Sequence, residues 1–576
     1  MKTDFKASII SEDQWKQAIT AHQVGDLEKA AVYYQQLLDA QPMHTAALHQ
    51  LGIIDAQQGR FEAAVQRFRQ ALDLMIGAPE LPRLHQHLGN ALVGLKQFEE
   101  ATYHFKIALA LAPDDAKVHN NVARLYYKQQ DFTCAHQHFT EAIRLQPYYL
   151  EAQLNLGLVL IAQAQPLAAM QQFQEVLQQQ PEAILAHEQL AQLAVQQGDS
   201  ALARQHYHFI LQRQPENVDA CNNVGAILSQ AGQYNEAAHY FEQALLQDPQ
   251  HASARSNLAA VHLQQDQLKE AIWHYTLYLR LVPEESEAHY NIGVAFMLSG
   301  RLPEAIAAFQ QATILNPQAV DAWCNLAAIY LRQSDKMLAE AAYQQVLNVQ
   351  ADHPIACYML QALTQSSIPS AAPPEYVRNL FDHYAPQFDQ HLTQVLQYQA
   401  PQLLGALFPT ELRHRHFSTL DLGCGTGLSG LAFQEIAQPL TGIDISPRML
   451  AEAKKKGIYT ELIAGDFNTI LAQWHRQYEL ILCVDTLVYF GDLQPIFQRI
   501  APCLQPAAYF AFSVELGTIA PYSLQTTGRY QHTRETILTL AQQYGFTLIA
   551  ENDTEGRQQD AVAVKLGFFL LQMPSS

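Results

Sequence analysis

Residues 417–430, FSTLDLGCGTGLSG, form a glycine-rich stretch directly after a run that is typical of a β-strand. Four of eight consecutive positions are glycine: Gly423, Gly425, Gly427 and Gly430. Glycine allows tight turns and lets a ligand approach the backbone closely. The carboxylate of Asp421, just before the turn, can pair with a ligand ammonium group. The residue types and their spacing therefore predict a binding site for a nucleotide-like ligand.

Three kinds of ligand-binding loop share such glycines. A phosphate-binding P-loop needs Lys-Ser or Lys-Thr after its last glycine, whereas Leu428 and Ser429 follow Gly427 here. A dinucleotide loop needs G-x-G-x-x-G, and this stretch has G-x-G-x-G. The third pattern, D-x-G-C-G-T-G, resembles the class I S-adenosylmethionine-dependent methyltransferases. A plain tight turn between a strand and a helix is the structural alternative.

Carboxylates farther along the chain help to separate these interpretations. Asp444 follows Gly423 by 21 residues. A carboxylate at this distance can accept hydrogen bonds from both ribose hydroxyls of a bound nucleoside. A nicotinamide cofactor would need such a carboxylate equally. Asp466 and Phe467 match the positions where the resembled family binds the adenine amino group and packs its ring. The same resemblance implies that Cys424 lies in the turn and that three residues line the adenosine side: Ile445, Ser446 and Met449.

Residues 376–392, YVRNLFDHYAPQFDQHL, precede the glycine turn and contain the pairs Phe381-Asp382, Tyr384-Ala385 and Phe388-Asp389. They resemble the F/Y-D-x-x-A-x-x-Y-D segment of small-molecule and quinone-type methyltransferases, with a spacing that departs from a strict copy. That resemblance implies a lid in which Tyr384 or Phe388 covers the sulfonium of S-adenosylmethionine by cation–π contact. A hydrophobic staple under the domain is the structural alternative.

Residues for the acceptor side are predicted at two places. Asp485 and Tyr489 follow the fourth predicted strand and could face cofactor or substrate; this segment lacks the N/D-P-P-Y of amide-directed DNA and glutamine methyltransferases. Later, YSLQTTGRYQHT carries Arg529 as a predicted anion anchor, with Tyr530 also touching substrate. Tyr489, Tyr530 and His532 are the catalytic candidates, with Tyr530 or His532 as base, although methyl transfer can proceed by positioning and desolvation.

The elements around these residues alternate between short β-rich runs and amphipathic helical stretches from residue 418 to residue 571. Such alternation predicts a mainly parallel sheet covered by helices. Ligands in that architecture bind at the carboxyl ends of the strands, where the glycine turn falls. An α/β Rossmann-like methyltransferase domain is therefore expected over residues 376–576.

A repeat fills the first two thirds of the chain. Seven prolines recur every 34 residues: Pro113, Pro147, Pro181, Pro215, Pro249, Pro283 and Pro317. Each unit also carries a pair of one apolar and one small residue, then an alanine followed four residues later by an aromatic, as in Ala237 and Phe241. This pattern resembles the tetratricopeptide repeat, a helical hairpin with a period of about 34 residues. It predicts an α-solenoid over residues 11–365, a tetratricopeptide superhelix of ten repeats and a closing helix.

One polar column in the repeats is unexpected. Asparagine stands before the apolar-small pair at Asn121, Asn155, Asn223, Asn257, Asn291 and Asn325. Asparagine is a mediocre helix former, and its amide can both donate to and accept from a peptide backbone. The column resembles the asparagine ladder of the O-GlcNAc transferase superhelix, which implies peptide binding. Bonds within or between neighbouring repeats are the structural alternative.

Residues 366–375, SSIPSAAPPE, separate the two regions. Three prolines and three serines in ten residues argue against a helix, so a linker is predicted there. Nearly the whole chain resembles bacterial proteins predicted to be methyltransferases, which join tetratricopeptide repeats to this catalytic domain.

Composition restricts the partners. The chain has 576 residues, 49 % of them hydrophobic, and a formal charge of −20 from 35 Lys+Arg and 55 Asp+Glu. That balance argues against nucleic acid and anionic membrane surfaces as partners. No apolar run is long enough for a membrane span, and the seven cysteines form no CxxC pair, so a cytoplasmic protein without a metal site is expected.

Three functions are compatible with this sequence. In the first, an S-adenosylmethionine-dependent methyltransferase uses its solenoid to recruit a protein or peptide, which can itself be the acceptor. In the second, the acceptor is a small or carrier-bound molecule and the repeats serve assembly. In the third, the catalytic domain has decayed and the protein is a binding scaffold; the intact Asp421, Asp444 and Asp466 favour an enzyme.

Overall fold

The computed structural model describes residues 2–75, 79–382, 385–390, 392, 398–559 and 562–575. The chain divides into two compact units, residues 1–261 and residues 262–576. The boundary between them lies within the repeats, so the last repeats belong to the same unit as the α/β domain. Each unit is described separately.

The first unit is helical throughout its described length. Its helices are α1 (Lys2–Gln23), α2 (Leu27–Ala40), α3 (Thr45–Gln57), α4 (Phe61–Leu74), α5 (Leu81–Gly94), α6 (Phe98–Leu111), α7 (Ala116–Lys128), α8 (Phe132–Leu145), α9 (Leu150–Ala162), α10 (Pro166–Gln179), α11 (Ile184–Gln196), α12 (Ser200–Arg213), α13 (Val218–Gln230), α14 (Tyr234–Gln247) and α15 (Ala252–Gln264), whose last turn belongs to the second unit. Helices α1 to α14 pack as seven successive hairpins.

The apolar-small pair sets the packing inside each hairpin. Gly225 of α13 lies so close to Phe241 of α14 that a Cβ on the glycine would stand 2.7 Å from the ring. Gly157 and Phe173 repeat this contact in α9 and α10, at 2.5 Å. Both phenylalanines are fully buried. A small residue on the first helix therefore admits the aromatic of the second, which explains the sequence pattern.

A second repeated contact was not predicted. His119 Nε2 donates to the carbonyl oxygen of Pro113 at 3.0 Å, and His187 Nε2 donates to that of Pro181 at 2.9 Å. At the equivalent position Gln153 Nε2 donates to the carbonyl oxygen of Pro147. The carbonyls between one hairpin and the next therefore receive a partner, as exposed helix ends require.

Two members of the asparagine column bond to the solenoid itself. Asn223 Nδ2 donates to Tyr207 Oη at 3.1 Å, and Asn257 Nδ2 donates to Asn222 Oδ1 at 3.0 Å. All six asparagines are half-buried. The internal role that the sequence left open therefore operates at these two positions.

The second unit begins with more repeat helices and continues into the α/β domain. Its helices are α16 (Leu268–Leu281), α17 (Ser286–Leu298), α18 (Leu302–Leu315), α19 (Val320–Arg332), α20 (Lys336–Val349), α21 (Pro354–Thr364), α22 (Pro374–Asp382), α23 (Ala385–Gln390), α24 (Ala400–Ala406), α25 (Leu428–Ala432), α26 (Pro447–Lys455), α27 (Phe467–Leu471), α28 (Gln494–Ile500) and α29 (Arg534–Gln543). Its strands are β1 (Phe417–Leu422), β2 (Ala437–Asp444), β3 (Glu461–Ala464), β4 (Tyr478–Cys483), β5 (Leu504–Leu516), β6 (Tyr522–Leu524), β7 (Tyr530–His532), β8 (Thr547–Gln559) and β9 (Val562–Gln572).

The strands form one mixed sheet. Strands β3, β2, β1, β4 and β5 lie side by side in that order and are parallel. Strand β9 pairs antiparallel with both β5 and β8, while β6 and β7 form a hairpin whose strand β7 pairs with the last residues of β5. The predicted fold class, an α-solenoid followed by a Rossmann-like domain, is confirmed.

Residues 369–372 of the predicted linker are bound to the α/β domain. Ser370 O accepts from Gly491 N at 2.8 Å and from Asp492 N at 2.9 Å, and Ala372 N donates to Tyr489 O at 2.8 Å. Pro369 O accepts from the Tyr530 hydroxyl at 2.8 Å. Residues 366–373 contain no helix, whereas α22 begins at Pro374, inside the predicted linker.

The closing helix α21 also packs on the α/β domain. Tyr358 Oη donates to Gly528 O at 2.9 Å, and Gln365 Nε2 donates to Leu524 O at 2.9 Å. One buried apolar cluster contains both Met359 of α21 and Tyr530 of β7. The last repeats and the α/β domain therefore share a core. None of the helices in the described part of the chain is both long and apolar enough to cross a membrane.

Candidate functional site

A cavity of about 360 Å³ opens at the carboxyl ends of the parallel strands. Its walls come from the glycine turn after β1, the residues that follow β2, β3 and β4, and the segment 371–381. This is where an open parallel sheet binds ligands. The sequence placed the glycine turn at this edge, and the cavity lies there.

The glycine turn needs two of its glycines for different reasons. Gly423 has φ +70°, and a Cβ there would lie 2.3 Å from Thr486 Oγ1, so only glycine fits. Gly425 has φ +55° with no atom within 4 Å of its Cβ position, so its open side faces the cavity that it lines. Cys424 lines the cavity too, whereas Gly427 is the N-terminal cap of α25.

Asp421 lies behind this turn and is fully buried. Its Oδ2 accepts from Ser429 Oγ at 2.6 Å and from Tyr459 Oη at 2.7 Å. Its Oδ1 is buried and has no hydrogen-bond partner among the described residues. Gly430 makes room for Tyr459, since a Cβ at Gly430 would stand 2.5 Å from that hydroxyl. Burial raises the pKa of the Asp421 carboxyl to about 6, against the lowering effect of the two hydroxyl donors.

Asp444 ends β2 and lines the cavity. Its Oδ2 accepts from Gly425 N and its Oδ1 from Ser446 N, both at 2.8 Å. Burial raises the pKa of this carboxyl to about 6 as well, backbone N–H groups lower it, and Asp382 adds a further increase. Asp444 therefore ties the glycine turn to the start of α26 and presents a carboxylate to the cavity.

The predicted adenosine side is assembled in part. Ile445, Met449 and Phe467 line the cavity, and the Phe467 and Phe490 rings lie 5.3 Å apart. Asp466 also lines it, while its carboxylate caps α27 by accepting from Thr469 N at 3.0 Å. Ser446 is not among the lining residues: it is fully buried, and its hydroxyl caps α26. Ser446 therefore shapes the site without reaching it.

The aromatic-acid segment before the domain covers the glycine turn. Asp389 of α23 accepts from Lys456 Nζ at 2.6 Å and from the hydroxyl of Thr426 in the turn. Asp382 of α22 accepts from the Ser446 hydroxyl. Phe381 and Phe388 line the cavity. Tyr384, the other predicted sulfonium contact, lies outside the described residues.

Arg529 lines the cavity, but its charge is already paired. Its guanidinium donates to Asp485 Oδ1 and to Glu515 Oε1, both at 2.6 Å, and the residue is only 8 % exposed. Asp485 adopts a left-handed conformation with φ +54°. The role of Arg529 as an anion anchor stays a prediction, and the two carboxylates that accept from its guanidinium oppose it. Tyr489 also lines the cavity, and the centre of its ring lies 5.5 Å from the guanidinium carbon of Arg529.

Two of the catalytic candidates do not reach the cavity. Tyr530 is fully buried and its hydroxyl bonds to Pro369 O, so it fastens the segment before α22. His532 is also fully buried; its Nε2 donates to Gly491 O at 3.0 Å, and burial lowers its pKa to about 4. A side chain without access to the reacting atoms cannot act as a base on them. Of the three candidates only Tyr489 lines the cavity.

Several residues that shape the site gave no sequence signal. Tyr459 lies 38 residues after the aspartate that it holds, and Lys456 lies 67 residues after Asp389. Thr486 packs against Gly423 from the end of β4. Such contacts depend on which strands are neighbours, and the spacing along the chain does not encode that. For Tyr459, the crowding of Gly427, Gly430 and Gly442 against one ring is the signal that a structure provides.

The raised pKa of Asp421 leads to a prediction on stability. The pKa of this carboxyl is about 6 in the folded protein and ordinarily 3.8, so the unfolded chain ionises first as pH rises from about 4 to 6. Ionisation of Asp421 therefore lowers the free energy of unfolding across that range. The loss is absent below about pH 4 and complete above about pH 6. Asp421→Asn is expected to stabilise the ligand-free protein at pH 8 by roughly 1–3 kcal/mol, or about 2–6 °C in Tm, with no gain at pH 4.

Calorimetric unfolding at the two pH values measures this difference. The control is Glu461→Gln. It removes an exposed ion pair between Glu461 on β3 and Arg476, and we expect it to change Tm at neither pH. A lower Tm for Asp421→Asn at pH 8 would contradict the interpretation that ionisation of the buried Asp421 carboxyl destabilises the folded protein.

A methyltransferase-domain family matches the α/β domain, and tetratricopeptide-repeat families match the helical region. The family described as Methyltransferase domain matches residues 419–507, from β1 into β5. Families described as Tetratricopeptide repeat or TPR repeat match most of the helical region: residues 16–82, 49–116, 87–149, 121–184, 228–291, 295–334 and 320–353.

Curated relatives are O-methyltransferases. The chain is 30 % identical over 145 residues to a malonyl-[acyl-carrier protein] O-methyltransferase of Priestia megaterium, covering 24 % of this chain and 51 % of the relative. It is 26 % identical to a ubiquinone biosynthesis O-methyltransferase of Bordetella avium, covering 16 % and 41 %, and 25 % identical to a magnesium-protoporphyrin O-methyltransferase of Synechocystis, covering 24 % and 66 %. The chain spans about half the length of the curated relatives it matches.

Solved structures similar to the chain are repeat proteins. YrrB, described as a TPR protein with an unusual peptide-binding site, is 22 % identical, with a TM-score of 0.30, over 32 % of this chain and 96 % of its own. PilF of Pseudomonas aeruginosa is 18 % identical, with a TM-score of 0.33, over 38 % of this chain and 97 % of its own.

The parallel sheet with its glycine turn is a Rossmann-like domain, and residues 419–507 of it match the methyltransferase-domain family. The chain therefore carries tetratricopeptide repeats followed by a domain similar to methyltransferases.

Proposed function

We propose that the protein is an S-adenosylmethionine-dependent O-methyltransferase whose solenoid recruits a protein or peptide partner. The single observation that carries the enzyme proposal is Asp444, a carboxylate on the cavity wall that also holds the glycine turn. The oxygen acceptor is taken from the curated relatives, which are O-methyltransferases by name.

The residues present fit this cofactor. Asp444 would accept from the two ribose hydroxyls, and Asp466 with Phe467 would hold the adenine ring. Asp421, the predicted partner of the ligand ammonium group, is fully buried and is not among the lining residues, so we assign it the support of the glycine turn through Ser429 and Tyr459. Gly425 leaves its side of the turn open toward the cavity.

S-adenosylmethionine would supply the methyl group: the carbon–sulfur bond breaks, sulfur keeps the electron pair, an oxygen–carbon bond forms, and the acceptor proton leaves to solvent. The chain's own contribution is positioning and exclusion of water. Phe381 and Phe388 cover the cavity, and Asp389 with Lys456 fixes that cover over the glycine turn. Tyr489 is the remaining described candidate for contact with the acceptor hydroxyl.

The solenoid proposal depends on the asparagine column. Asn223 and Asn257 bond internally through one amide hydrogen each, and all six asparagines are half-buried. An amide has two donor hydrogens and a carbonyl oxygen that accepts two bonds, so internally bonded amides keep capacity for a peptide backbone. A partner held there would be either the acceptor itself or its carrier.

The test is transfer of radiolabelled methyl groups into a cell extract. The unmodified chain is compared with the triple variant Asn223→Ala, Asn257→Ala and Asn291→Ala. We expect label in the protein fraction with the unmodified chain and about tenfold less with the variant, which corresponds to roughly 1.4 kcal/mol of lost partner binding. Affinity for S-adenosylmethionine should stay unchanged.

The matched control replaces three exposed residues on the same helices, Gln230, Gln264 and Glu287, by alanine, and is expected to label protein normally. Label confined to small molecules would favour the second function, in which the repeats serve assembly. Cofactor binding without any transfer would favour the scaffold, and absence of cofactor binding would contradict the enzyme proposal.

A further inference from the structure

One wall of the cavity is made entirely of apolar side chains from the segment before the sheet. Six residues of this wall line the cavity: Ala371, Ala372, Pro374, Val377, Leu380 and Phe381. Its position is set by backbone contacts to the loop after β4, since Ala371 forms an antiparallel bridge with Phe490 and Ala372 N donates to Tyr489 O. An acceptor in this cavity would therefore meet an apolar surface that is built into the fold.

The charges on the other walls are mostly negative. Among the described lining residues, the ionisable acids are Asp444, Asp466 and Asp485, and Arg529 is the basic one. The guanidinium of Arg529 lies between Asp485 and Glu515 at 2.6 Å from each, so the cluster of these three groups carries one net negative charge. An anion that used Arg529 would have to displace a carboxylate and would face the others at close range.

We propose that the methyl acceptor bound in this cavity has an apolar body and a hydroxyl group, and that carboxylate acceptors are excluded. This inference rests on the proposed function and names the substrate class of the same site. The apolar wall at residues 371–381 would receive the body. The Asp485–Arg529–Glu515 cluster would repel an anion.

The test uses three probes with the same ring and tail: 4-octylphenol, 4-octylbenzoate and 4-octylbenzylammonium. Each is titrated by calorimetry at pH 8 into the full chain saturated with S-adenosylhomocysteine, at probe concentrations below micelle formation. The phenol is expected to bind at least about tenfold more tightly than the benzoate, and the benzylammonium is expected to bind more tightly than the benzoate because the cluster is net negative. Binding of the benzoate as tight as that of the phenol or of the benzylammonium, or binding of none of the three, would overturn the proposal.

Two variants connect the preference to these residues. Glu515→Gln removes one negative charge from the cluster and is expected to strengthen benzoate binding by about threefold or more while leaving the phenol unchanged. Val377→Asp places a charge in the apolar wall and is expected to weaken phenol binding by about tenfold. Ile368→Asp, on the same segment but 40 % exposed and outside the cavity lining, is the matched control and should change neither.

Binding of S-adenosylhomocysteine itself is measured first. Its absence in the unmodified chain would contradict the proposed function, whereas its presence with a preference for the benzoate would contradict only the acceptor class. A wall variant that loses the phenol must still bind S-adenosylhomocysteine within about twofold. If it does not, or if Val377→Asp binds the phenol normally, the apolar wall is not the acceptor surface.

Discussion

Replacing Asp444 by alanine is expected to weaken S-adenosylmethionine binding by about a hundredfold or more. The variant would lose two charge-assisted hydrogen bonds to ribose, each worth roughly 1.5–3 kcal/mol. It would also leave Gly425 N and Ser446 N without the carboxylate that now holds both at 2.8 Å. The glycine turn and the start of α26 would therefore lose a common anchor. Titration calorimetry of the full chain at pH 8, above the pKa of about 6, measures the effect.

The pH dependence of the unmodified chain provides a second measurement of the same group. Because the carboxyl of Asp444 has a raised pKa of about 6 before binding, protonation competes with the cofactor below that pH, and affinity should fall as pH drops from about 7 to 5. Glu461→Ala, at an exposed ion pair on β3, is the control and should bind normally. An Asp444→Ala protein that binds within about threefold of the unmodified chain would refute the cofactor role.

Removing residues 1–370 is expected to unfold the α/β domain. The deletion exposes a surface that α21 now covers, where Tyr530 is 0 % exposed and Leu524 is 1 % exposed. It also removes Pro369 and Ser370, whose carbonyls bond to β7 and to the loop after β4. Each buried apolar side chain contributes roughly 1.5–3 kcal/mol, so a few of them amount to a large part of a domain's stability of about 5–15 kcal/mol. Soluble yield and thermal unfolding of residues 371–576 measure the outcome.

The matched deletion removes residues 1–261 and leaves the second compact unit whole. It is expected to yield a folded protein that binds S-adenosylmethionine like the full chain. Gly528→Val in the full chain is an independent check, because its Cβ would lie 2.6 Å from Tyr376 Oη at a position with φ +72°, and it should lower the Tm of the second unit. If residues 371–576 fold with an unchanged Tm, the shared core is dispensable.

The repeats and the type of domain were readable from the sequence because both depend on local patterns. The 34-residue period places a glycine such as Gly225 opposite Phe241, and this contact forms within one hairpin. The glycine turn follows β1 directly, and Asp444 ends β2, the next strand along the chain, which pairs with β1. Local order of residue types, periodicity and turn geometry carry this information.

Other assignments required the tertiary structure. The sequence neighbours of Arg529 suggest an unpaired cation in a loop, but Asp485 in the loop after β4 and Glu515 on β5 accept from it, although they lie 44 and 14 residues away along the chain. Residues 366–375 have the composition of a tether, yet Ser370 is bound by the loop after β4. Tyr530 and His532 stand in an aperiodic stretch that suggested chemistry, and both are buried as supports.

The sequence by itself determined that this chain is a repeat solenoid joined to an α/β domain with a glycine turn and an aspartate after its second strand. Only the tertiary structure decided which of the charged and aromatic residues face the cavity, and that the end of the solenoid shares a core with the α/β domain. The physical reason is that a turn or hairpin is specified by residues close along the chain. Charge neutralisation and burial, in contrast, are set by residues brought together across the sheet.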